Sequence, residues 1–383
     1  MPQSMLLRLL EQANPAQAIL KKGPRTDLGI ADTVPFPFLA LVDQVEMKKA
    51  LILALINPRV GGVLLIGPRG TGKTTAVRGL VELLPTVRRS LCPYGCTEEA
   101  AEAWGMDGIC SDCAVKMGMG EPLTAPDRMR LIELPLNARL EDVVGGVDER
   151  VALEQQKVRL SQGILARADQ NLLYVDEVNL LDEAIINALL DAAAQGQYTV
   201  RRGPMVSTYR SRIVLVGSMN PEEGPLRAQI LDRFGLRVVV RGLRNLKKRL
   251  LVAQRVQAYQ ANPYAFSAAY AQATAEAAAE LAQARRRLPR VRLTREAERT
   301  ALALIQELGI ETHRAELVLF EAARAHAAAD DRERAGVSDV RAVAPMVLRQ
   351  RRSQFIADYL AAADREDARI QEAIEKTRRA RKR

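Results

Sequence analysis

The stretch Gly67-Pro-Arg-Gly-Thr-Gly-Lys73-Thr74 decides the fold of this 383-residue chain. It matches the phosphate-loop pattern G-x-x-x-x-G-K-[ST]. An apolar run, Gly62–Ile66, precedes it, and Thr75–Leu84 follows with apolar residues at helical spacing. In a strand, loop and helix of this order, the loop amides converge on a phosphate at the helix N-terminus. The sequence therefore predicts a nucleoside triphosphate site.

Every residue of this loop is a candidate contact for the nucleotide. The predicted binding residues are Gly67, Pro68, Arg69, Gly70, Thr71, Gly72, Lys73, Thr74 and Thr75. Lys73 supplies a positive charge near the β- and γ-phosphates, and the Thr74 hydroxyl is a candidate ligand of Mg²⁺. The expected cofactors are ATP and Mg²⁺. ATP is favoured over GTP because no guanine-specifying N-K-x-D sequence occurs.

A second apolar run, Asn171–Val175, ends in the acidic pair Asp176 and Glu177. Buried parallel strands deliver such residues to the edge of the sheet where ligands bind. Asp176 is expected to complete the Mg²⁺ shell, and Glu177 to polarise the attacking water as general base. An acidic pair alone could equally be a helix cap. Together with the phosphate loop it favours nucleotide hydrolysis.

The composition is that of a folded protein, with 48% hydrophobic residues. No apolar run approaches the ~20 residues of a membrane-spanning helix, and the N-terminal residues lack signal-peptide features. We therefore expect a soluble, cytoplasmic protein. The net charge is +10, but basic residues crowd only in Arg378–Arg383, and aromatic residues are just 4%. A solvated basic tail is favoured over nucleic-acid binding.

The chain divides into four expected segments. These are an N-terminal extension (1–34), a parallel α/β domain (35–241), an all-helical domain (242–363) and a basic C-terminal tail (364–383). Strand-like runs alternate with helical patterns up to about residue 241, which is typical of a parallel α/β sheet. Beyond it, Ala, Arg, Glu, Gln and Leu dominate at helical spacing.

Four polar residues outside the two strands are further candidates. Asn220 follows the strand-like run Ile213–Val216, and Arg227 and Arg233 belong to the segment that closes the α/β domain. Arg314 lies in the first turn of a helix in the second domain. Individually these are also compatible with a turn residue, local ion pairs and a solvated face. Their order along the chain favours a role at the nucleotide.

This order of motifs resembles the AAA+ ATPases, and more closely the ATPase subunit of magnesium chelatase. The resemblance spans about residues 35 to 355. It is carried by Phe38–Met47, Gly61–Val77, Leu173–Leu181, Val216–Gly224 and Ile230–Leu236. It implies a P-loop parallel-sheet domain followed by an all-helical lid. It also implies that Asn220 is sensor 1, Arg233 the arginine finger offered to a neighbouring subunit, and Arg314 sensor 2, with Arg227 a second basic candidate.

The resemblance also explains two excursions of the chain. Val143–Gly163 resembles the insert that this family carries within helix 2. Tyr198–Thr208 is expected to form a hairpin with Gly-Pro at its tip, and it resembles the pre-sensor-1 hairpin. Such loops are expected to contact partner proteins.

The implied function is that of a motor subunit, which hydrolyses ATP to drive Mg²⁺ insertion into protoporphyrin IX during chlorophyll or bacteriochlorophyll biosynthesis. The implied partners are copies of the chain itself in a ring, expected to be a hexamer, an integrin-like AAA+ subunit and a large porphyrin-binding subunit. A related motor for cobalt chelatase or for metalloenzyme maturation stays open as an alternative. A nucleic-acid motor is less favoured.

All four cysteines fall in one segment, about residues 90 to 120. Cys92 and Cys96 form a C-x₃-C pair, and Cys110 and Cys113 a C-x₂-C pair. This spacing is typical of a structural zinc site, and disulfides are not expected in a cytoplasmic protein. Reducible thiol pairs, an iron–sulfur cluster and unliganded cysteines are the alternatives.

Overall fold

The computed structural model describes residues 4–11, 34–146, 160–203, 205–352 and 369. Several sequence expectations lie wholly or partly outside these residues. They are most of the N-terminal extension, the middle of the helix-2 insert (147–159), the hairpin-tip residue Pro204, the end of the predicted all-helical domain (353–363) and the basic tail apart from Arg369. None of the helices in the described part is both long and apolar enough to cross a bilayer.

A five-stranded sheet forms the centre of the N-terminal half. Its strand order is β4-β5-β8-β1-β9, and every neighbouring pair is parallel. The strands are β1 (Val63–Ile66), β4 (Leu131–Leu134), β5 (Leu172–Val175), β8 (Val214–Met219) and β9 (Leu236–Val239). The residues of β1, β5 and β8 are all buried, as strands covered by helices on both faces require. This confirms the predicted parallel α/β class.

Helices flank the sheet and then form the C-terminal half. They are α1 (Met5–Glu11), α2 (Val45–Ile56), α3 (Lys73–Gly79), α4 (Glu98–Trp104), α5 (Ser111–Gly118), α6 (Leu140–Val144), α7 (Ile164–Arg167), α8 (Glu183–Gln195), α9 (Ala228–Arg233), α10 (Leu246–Ala261), α11 (Pro263–Ala268), α12 (Ala271–Arg287), α13 (Arg295–Glu307), α14 (His313–Ala329) and α15 (Val337–Leu348). From α10 onward the only described strands are the two-residue β10 (Arg292–Leu293) and β11 (Arg334–Ala335).

Two antiparallel pairs extend from the sheet domain. Strands β2 (Thr86–Ser90) and β3 (Thr124–Arg128) pair at the base of a cysteine insert, residues 91–123. Strands β6 (Gln197–Arg202) and β7 (Met205–Arg210) form a hairpin just before β8. The hairpin is the one that the sequence predicts.

One hydrophobic cluster joins a face of the sheet to the helical half. It contains residues of α2, β1 and β9 together with residues of α12 to α15. Leu6, Leu7 and Leu10 of α1 are also buried in it, and Ser4 donates hydrogen bonds to Asp330 and Ala329. Part of the N-terminal extension therefore packs into the main core, which the sequence analysis did not anticipate. A second cluster fills the opposite face of the sheet.

Candidate functional site

The phosphate loop leaves the carboxyl end of β1 and leads into α3. Gly70 and Gly72 have positive φ angles, +76° and +86°, and no atom lies within 4 Å of where a Cβ would be. At Gly67 a Cβ would lie 2.1 Å from the carbonyl oxygen of Val240, so only glycine fits. The loop is therefore an open backbone concavity at a helix N-terminus, which is the geometry that binds phosphate.

Lys73 is the buried cation of this loop, with 9% of its surface exposed. Its Nζ donates to the carbonyl oxygens of Gly67 (2.6 Å) and Pro68 (2.9 Å). Burial lowers the pKa of Lys73, while the charges of Asp176 and Glu177 act in the opposite direction. The side chain thus lies along the loop, within the same electrostatic environment as the two acids.

Asp176 lies at the centre of a hydrogen-bond network. Its Oδ2 accepts from Thr74 Oγ1 at 3.2 Å, and its Oδ1 accepts from Tyr174 OH at 2.9 Å and from Ser218 Oγ. Burial alone would raise the pKa of Asp176, but these hydrogen bonds outweigh it and the pKa is lowered. The carboxylate therefore stays ionised beside the Thr74 hydroxyl. These are two oxygen donors of the type that Mg²⁺ prefers.

Glu177 occupies a left-handed backbone conformation, with φ +48°. Its amide donates to Ser218 Oγ at 3.2 Å, so the neighbouring strand β8 holds the turn that follows β5. Its carboxylate pairs with Arg69 of the phosphate loop at 3.3 Å. Glu177 consequently points towards the loop.

Arg69 links the loop to a second acid. Its Nη2 forms an ion pair with Glu223, which lies in the turn after Asn220. The Arg69 side chain is 72% exposed and that of Glu223 only 16%. The charges of Glu223 and Glu177 raise the pKa of Arg69. The two acids therefore hold Arg69 over the mouth of the loop.

Asn220 is buried at the carboxyl end of β8, between β5 and β1, as the sequence predicts. Its Oδ1 accepts from the Glu222 amide at 3.3 Å, and the Gly67 amide donates to the Met219 carbonyl at 3.1 Å. The strand end that carries Asn220 is thus bonded directly to the start of the phosphate loop.

A cleft of about 1140 Å³ opens beside the phosphate loop. Its walls come from the loop, from the segment preceding α2 and from helix α10. Among the lining residues are Gly72, Thr75, Leu41, Val42 and Val256. The apolar wall next to a phosphate site fits the base and ribose of a nucleotide.

The three predicted arginines divide between the two ends of the sheet. Arg227 pairs with Glu183 at the start of α8 (2.5 Å), near the phosphate-loop end. Arg233 pairs with Asp191, two turns further along α8 (2.5 Å). Two residues later, the Gly235 amide donates to the Gly61 carbonyl before β1 begins.

Arg233 therefore lies at the end of the sheet opposite the phosphate loop, and Arg314 lies beside it. The Nη1 of Arg314 donates to the carbonyl oxygen of Asp232 at 3.4 Å. Strand β1 alone, with four residues, separates the two ends by roughly 13 Å. The structure gathers Lys73, Thr74, Asp176, Glu177 and Asn220 into one site and places Arg233 and Arg314 away from it.

The four cysteines converge in the insert. Their Sγ atoms all lie within 4.8 Å of one another, and those of Cys92 and Cys110 are 3.6 Å apart. Cys96 and Cys113 are buried, and Cys92 and Cys110 are partly exposed. Hydrogen bonds lower the pKa of Cys92 to about 5, and the one with Cys96 has the largest effect. The spacing of the two pairs predicts this convergence; the metal remains a prediction.

Comparison with known proteins gives the family. The family model described as magnesium chelatase, subunit ChlI, matches residues 149–229, and a model described as AAA lid domain matches residues 296–375. A magnesium-chelatase subunit ChlI homolog from Methanocaldococcus jannaschii is 41% identical over 323 residues, which cover 84% of this chain and 87% of that relative. The chain belongs to the magnesium-chelatase ChlI family.

Other ChlI relatives are similarly close. The magnesium-chelatase 38 kDa subunit of Acidiphilium rubrum is 40% identical over 317 residues, which cover 82% of this chain and 90% of that protein. The structure of a putative ATPase from Cytophaga hutchinsonii aligns with a TM-score of 0.52 at 18% identity, covering 81% of this chain and 83% of that one. That likeness concerns the fold alone. The ChlI family provides an ATPase subunit of a ligase-type enzyme, and the sheet followed by a helical lid has the predicted AAA+ architecture.

Three residues of the ChlI-type site escaped sequence reasoning. Tyr174 and Ser218 lie inside apolar strands, where a single hydroxyl gives no spacing signal. Glu223 was visible as part of an acidic turn, but nothing in the sequence paired it with Arg69. The alternation of side chains along a strand indicates which of its residues share a face, but not which residues of the neighbouring strands lie next to them.

Proposed function

We propose that this chain is the ATP-hydrolysing motor subunit of a magnesium chelatase. The observation that carries the proposal is the single site formed by Lys73, Thr74, Asp176 and Glu177 beside an open phosphate loop and an apolar cleft. Family membership supports the same function, because the relatives are named as magnesium-chelatase subunits.

The residues fit MgATP. The proposed nucleotide contacts are those predicted from the loop sequence, and the cleft beside them takes the base. Thr74 and Asp176 present the oxygen donors for Mg²⁺, and Lys73 presents its charge to the phosphates. When bound, the metal neutralises phosphate charge. Glu177 is the proposed general base, and Asn220 orients the attacking water.

Arg69 has a proposed place in this cycle. It pairs with the carboxylate of Glu177, so the proposed general base is held against the guanidinium of the loop. Incoming phosphates would compete for the same guanidinium, which is mostly exposed. The exchange of Arg69 from carboxylates to phosphate would release Glu177 for its role as base.

The active site is proposed to be shared between subunits. Because Arg233 and Arg314 lie at the far end of the sheet, neither is positioned to reach the nucleotide of its own chain. Both would face the phosphates of a neighbouring copy in a ring, where Arg233 stabilises the charge of the transition state. A homo-oligomer, proposed to be a hexamer, is therefore part of the function.

The proposed client reaction is Mg²⁺ insertion into protoporphyrin IX in chlorophyll or bacteriochlorophyll biosynthesis. It requires an integrin-like AAA+ subunit and a large porphyrin-binding subunit as partners. The test is reconstitution with these two subunits, protoporphyrin IX and MgATP, with formation of the Mg-porphyrin followed by fluorescence. Lys73→Ala, combined with the same partners, is the control.

Parallel assays with cobalt-chelatase subunits and with DNA distinguish the alternatives, and three outcomes are informative. Product formed only with wild-type protein and ATP supports the proposal. ATPase activity without Mg-porphyrin formation, together with cobalt insertion when cobalt-chelatase subunits are supplied, would assign the chain to a cobalt chelatase. ATPase activity stimulated by DNA and unaffected by the chelatase subunits would assign it to nucleic acid.

A further inference from the structure

We propose that Cys92, Cys96, Cys110 and Cys113 bind one structural Zn²⁺ and that this ion fixes the cysteine insert against the hairpin Gln197–Arg210. The site is separate from the proposed ATPase chemistry. It rests on the geometry of the four sulfurs, on the small core of the insert and on the contacts between the insert and the hairpin.

The spacing of the sulfurs fits a tetrahedral tetrathiolate. With Zn–S bonds of about 2.3 Å, neighbouring sulfurs in a tetrahedron lie about 3.8 Å apart. The Cys92 and Cys110 sulfurs are 3.6 Å apart, and all four ligand atoms lie within 4.8 Å of one another. A disulfide needs about 2.05 Å between its sulfurs. The cluster is therefore open enough for an ion and too open for a sulfur–sulfur bond.

Backbone amides point at the sulfurs. The amide of Tyr94 donates to Cys92 Sγ at 3.4 Å, and the amide of Cys110 donates to Cys96 Sγ at 3.3 Å. Such donors stabilise thiolate charge and orient the ligands of a metal centre. An amide thus holds each sulfur of the first cysteine pair, and one of these two amides belongs to Cys110 of the second pair.

The insert has almost no other core. Its buried cluster consists of Cys96, Cys113 and Leu123, with Cys92, Ile109 and Cys110 packed around it. Large apolar side chains of the insert are instead exposed, including Trp104 (73%) and Met119 (71%). A segment of about this size without a hydrophobic core needs a cross-link or a metal to hold one conformation. The four sulfurs surround the position where that metal would lie.

The loop between Cys92 and Cys96 packs directly on the hairpin. The amide of Arg210 donates to the Tyr94 carbonyl at 3.0 Å, and the rings of Tyr94 and Tyr209 stack with centroids 5.4 Å apart. Gly95 has φ +79°, and a Cβ there would lie 2.7 Å from the Arg210 Cβ. This backbone approach leaves no room for a side chain.

A second contact comes from the other cysteine pair. The guanidinium of Arg210 donates to the carbonyl of Gly108, two residues before Cys110, at 3.0 Å. Arg210 therefore bonds to both halves of the metal-binding loop. A zinc ion with four thiolates carries a net charge of −2, so cationic side chains are favourable neighbours. Arg212, whose Nη2 lies 3.5 Å from the Gly95 carbonyl, also contacts this loop, although its charge is paired with Asp169.

The first experiment measures the metal. The purified full-length chain should contain about one zinc per chain, with four sulfur ligands at about 2.3 Å in X-ray absorption. Cys110→Ser should lower the zinc content and Ser111→Ala, its matched neighbour, should not. Absence of zinc and iron, with four thiols that react at once under native conditions, would overturn the proposal. A visible spectrum of an iron–sulfur cluster would overturn the choice of zinc.

The second experiment measures the coupling and does not need a variant that folds poorly. Trp104 is the only tryptophan in the chain and lies in the insert, so its fluorescence anisotropy reports on the insert alone. Removal of zinc from wild-type protein with a chelator should lower this anisotropy. It should also accelerate amide exchange in the hairpin by roughly tenfold or more, and zinc should restore both.

Arg210 provides the matched variant. Arg210→Ala should keep its zinc, yet hairpin exchange should depend less on the metal than in wild type, because the guanidinium bond to Gly108 is lost while the backbone and ring contacts of Tyr94 remain. Arg201→Ala, an exposed arginine in the same hairpin, should behave as wild type. If zinc removal changed Trp104 anisotropy but left hairpin exchange in wild type unaltered, the coupling would be refuted and only the metal site would stand.

Discussion

At the level of single residues, the proposed tasks of Lys73 and Glu177 are separable, because Lys73 is proposed to bind phosphates and Glu177 to activate water. Lys73→Ala should abolish nucleotide binding by removing the buried cation of the loop. Glu177→Gln should retain ATP binding and lose hydrolysis, since an amide is not a general base. Binding is measured with a fluorescent ATP analogue and turnover by phosphate release. Wild-type turnover by Glu177→Gln would refute its assignment as base.

Lys48, on α2, gives a prediction of pH dependence. It is only 2% exposed and donates to the Leu41 carbonyl at 2.6 Å. Burial, followed by the charge of Arg255, lowers its pKa from 10.5 to about 8. Between these values the unfolded chain holds more protons than the folded one, so this group makes the fold more stable as pH rises.

The measurement compares free energies of unfolding from pH 7 to 10.5. The free energy of unfolding of wild type minus that of Lys48→Met should rise by up to about 3 kcal/mol between pH 8 and 10.5. Below pH 8 this difference should change little. Lys49→Met, on the same helix, controls for loss of a lysine as such. If the difference in unfolding free energy between wild type and Lys48→Met did not change with pH, the lowered pKa of Lys48 would be contradicted.

The residues of the site differ in how far the sequence reveals them. Lys73, Thr74, Asp176 and Glu177 follow from local patterns, since their chemistry requires fixed spacing from a strand or a glycine. Arg69 was predicted to contact the nucleotide, but its ion pairs join the loop to acids that are more than 100 residues away. Such contacts depend on the order of the strands in the sheet, and the spacing of residues along the chain does not reveal that order.

At the level of elements, helix α9 holds Arg233 at the end of the sheet opposite the phosphate loop, and the proposed target of Arg233 is the nucleotide of a neighbouring copy. Arg233→Ala should leave the ATP affinity of a single subunit nearly intact and reduce turnover on the order of 10³-fold or more. Arg233→Ala and Lys73→Ala subunits, each inactive alone, should regain partial ATPase activity when mixed. Gel filtration of the mixture verifies assembly. Mixed rings that assemble but stay inactive at all ratios would rule out a shared site.

The elements themselves were largely predictable. The parallel α/β class and the helical character of the segment from α10 to α15 follow from apolar runs and helical spacing, whereas strand β9 and the division between α11 and α12 were not predicted. The predicted helix after the phosphate loop is shorter, because α3 ends at Gly79 and continues as a 3₁₀ turn. A Cβ at Gly79 would lie 2.7 Å from the Phe36 carbonyl, so tertiary packing is tight at that point. Helix α1 was not predicted because seven residues give a weak periodic signal.

At the level of the whole molecule, the shared hydrophobic cluster couples the sheet to the helical half. We therefore expect one cooperative unfolding transition for both. MgATP at 100 times its dissociation constant should stabilise the folded state by about 2.7 kcal/mol. Differential scanning calorimetry on Glu177→Gln, which is expected to leave ATP intact, measures this shift. Lys73→Ala is the control that should not respond.

Two separate transitions, with only the first moved by MgATP, would contradict a common core. They would instead support independent units with a boundary near residue 241. The boundary near residue 241 remains a prediction. The composition changes there from an α/β to an all-helical pattern, but the two parts share one hydrophobic cluster.

The backbone contacts of Gly67 and Gly235 limit how this chain could vary. A Cβ at Gly67 would lie 2.1 Å from the Val240 carbonyl, and one at Gly235 would lie 1.5 Å from the Val60 carbonyl. Gly67 begins the phosphate loop at the carboxyl end of β1, and Gly235, two residues after Arg233, lies beside Gly61 at the other end of that strand. In a saturation-mutagenesis library, both codons should return only glycine among functional clones, while neighbouring exposed positions diversify. Exposed positions of the chain could then diverge among relatives, while the backbone contacts at the two ends of β1 stay fixed.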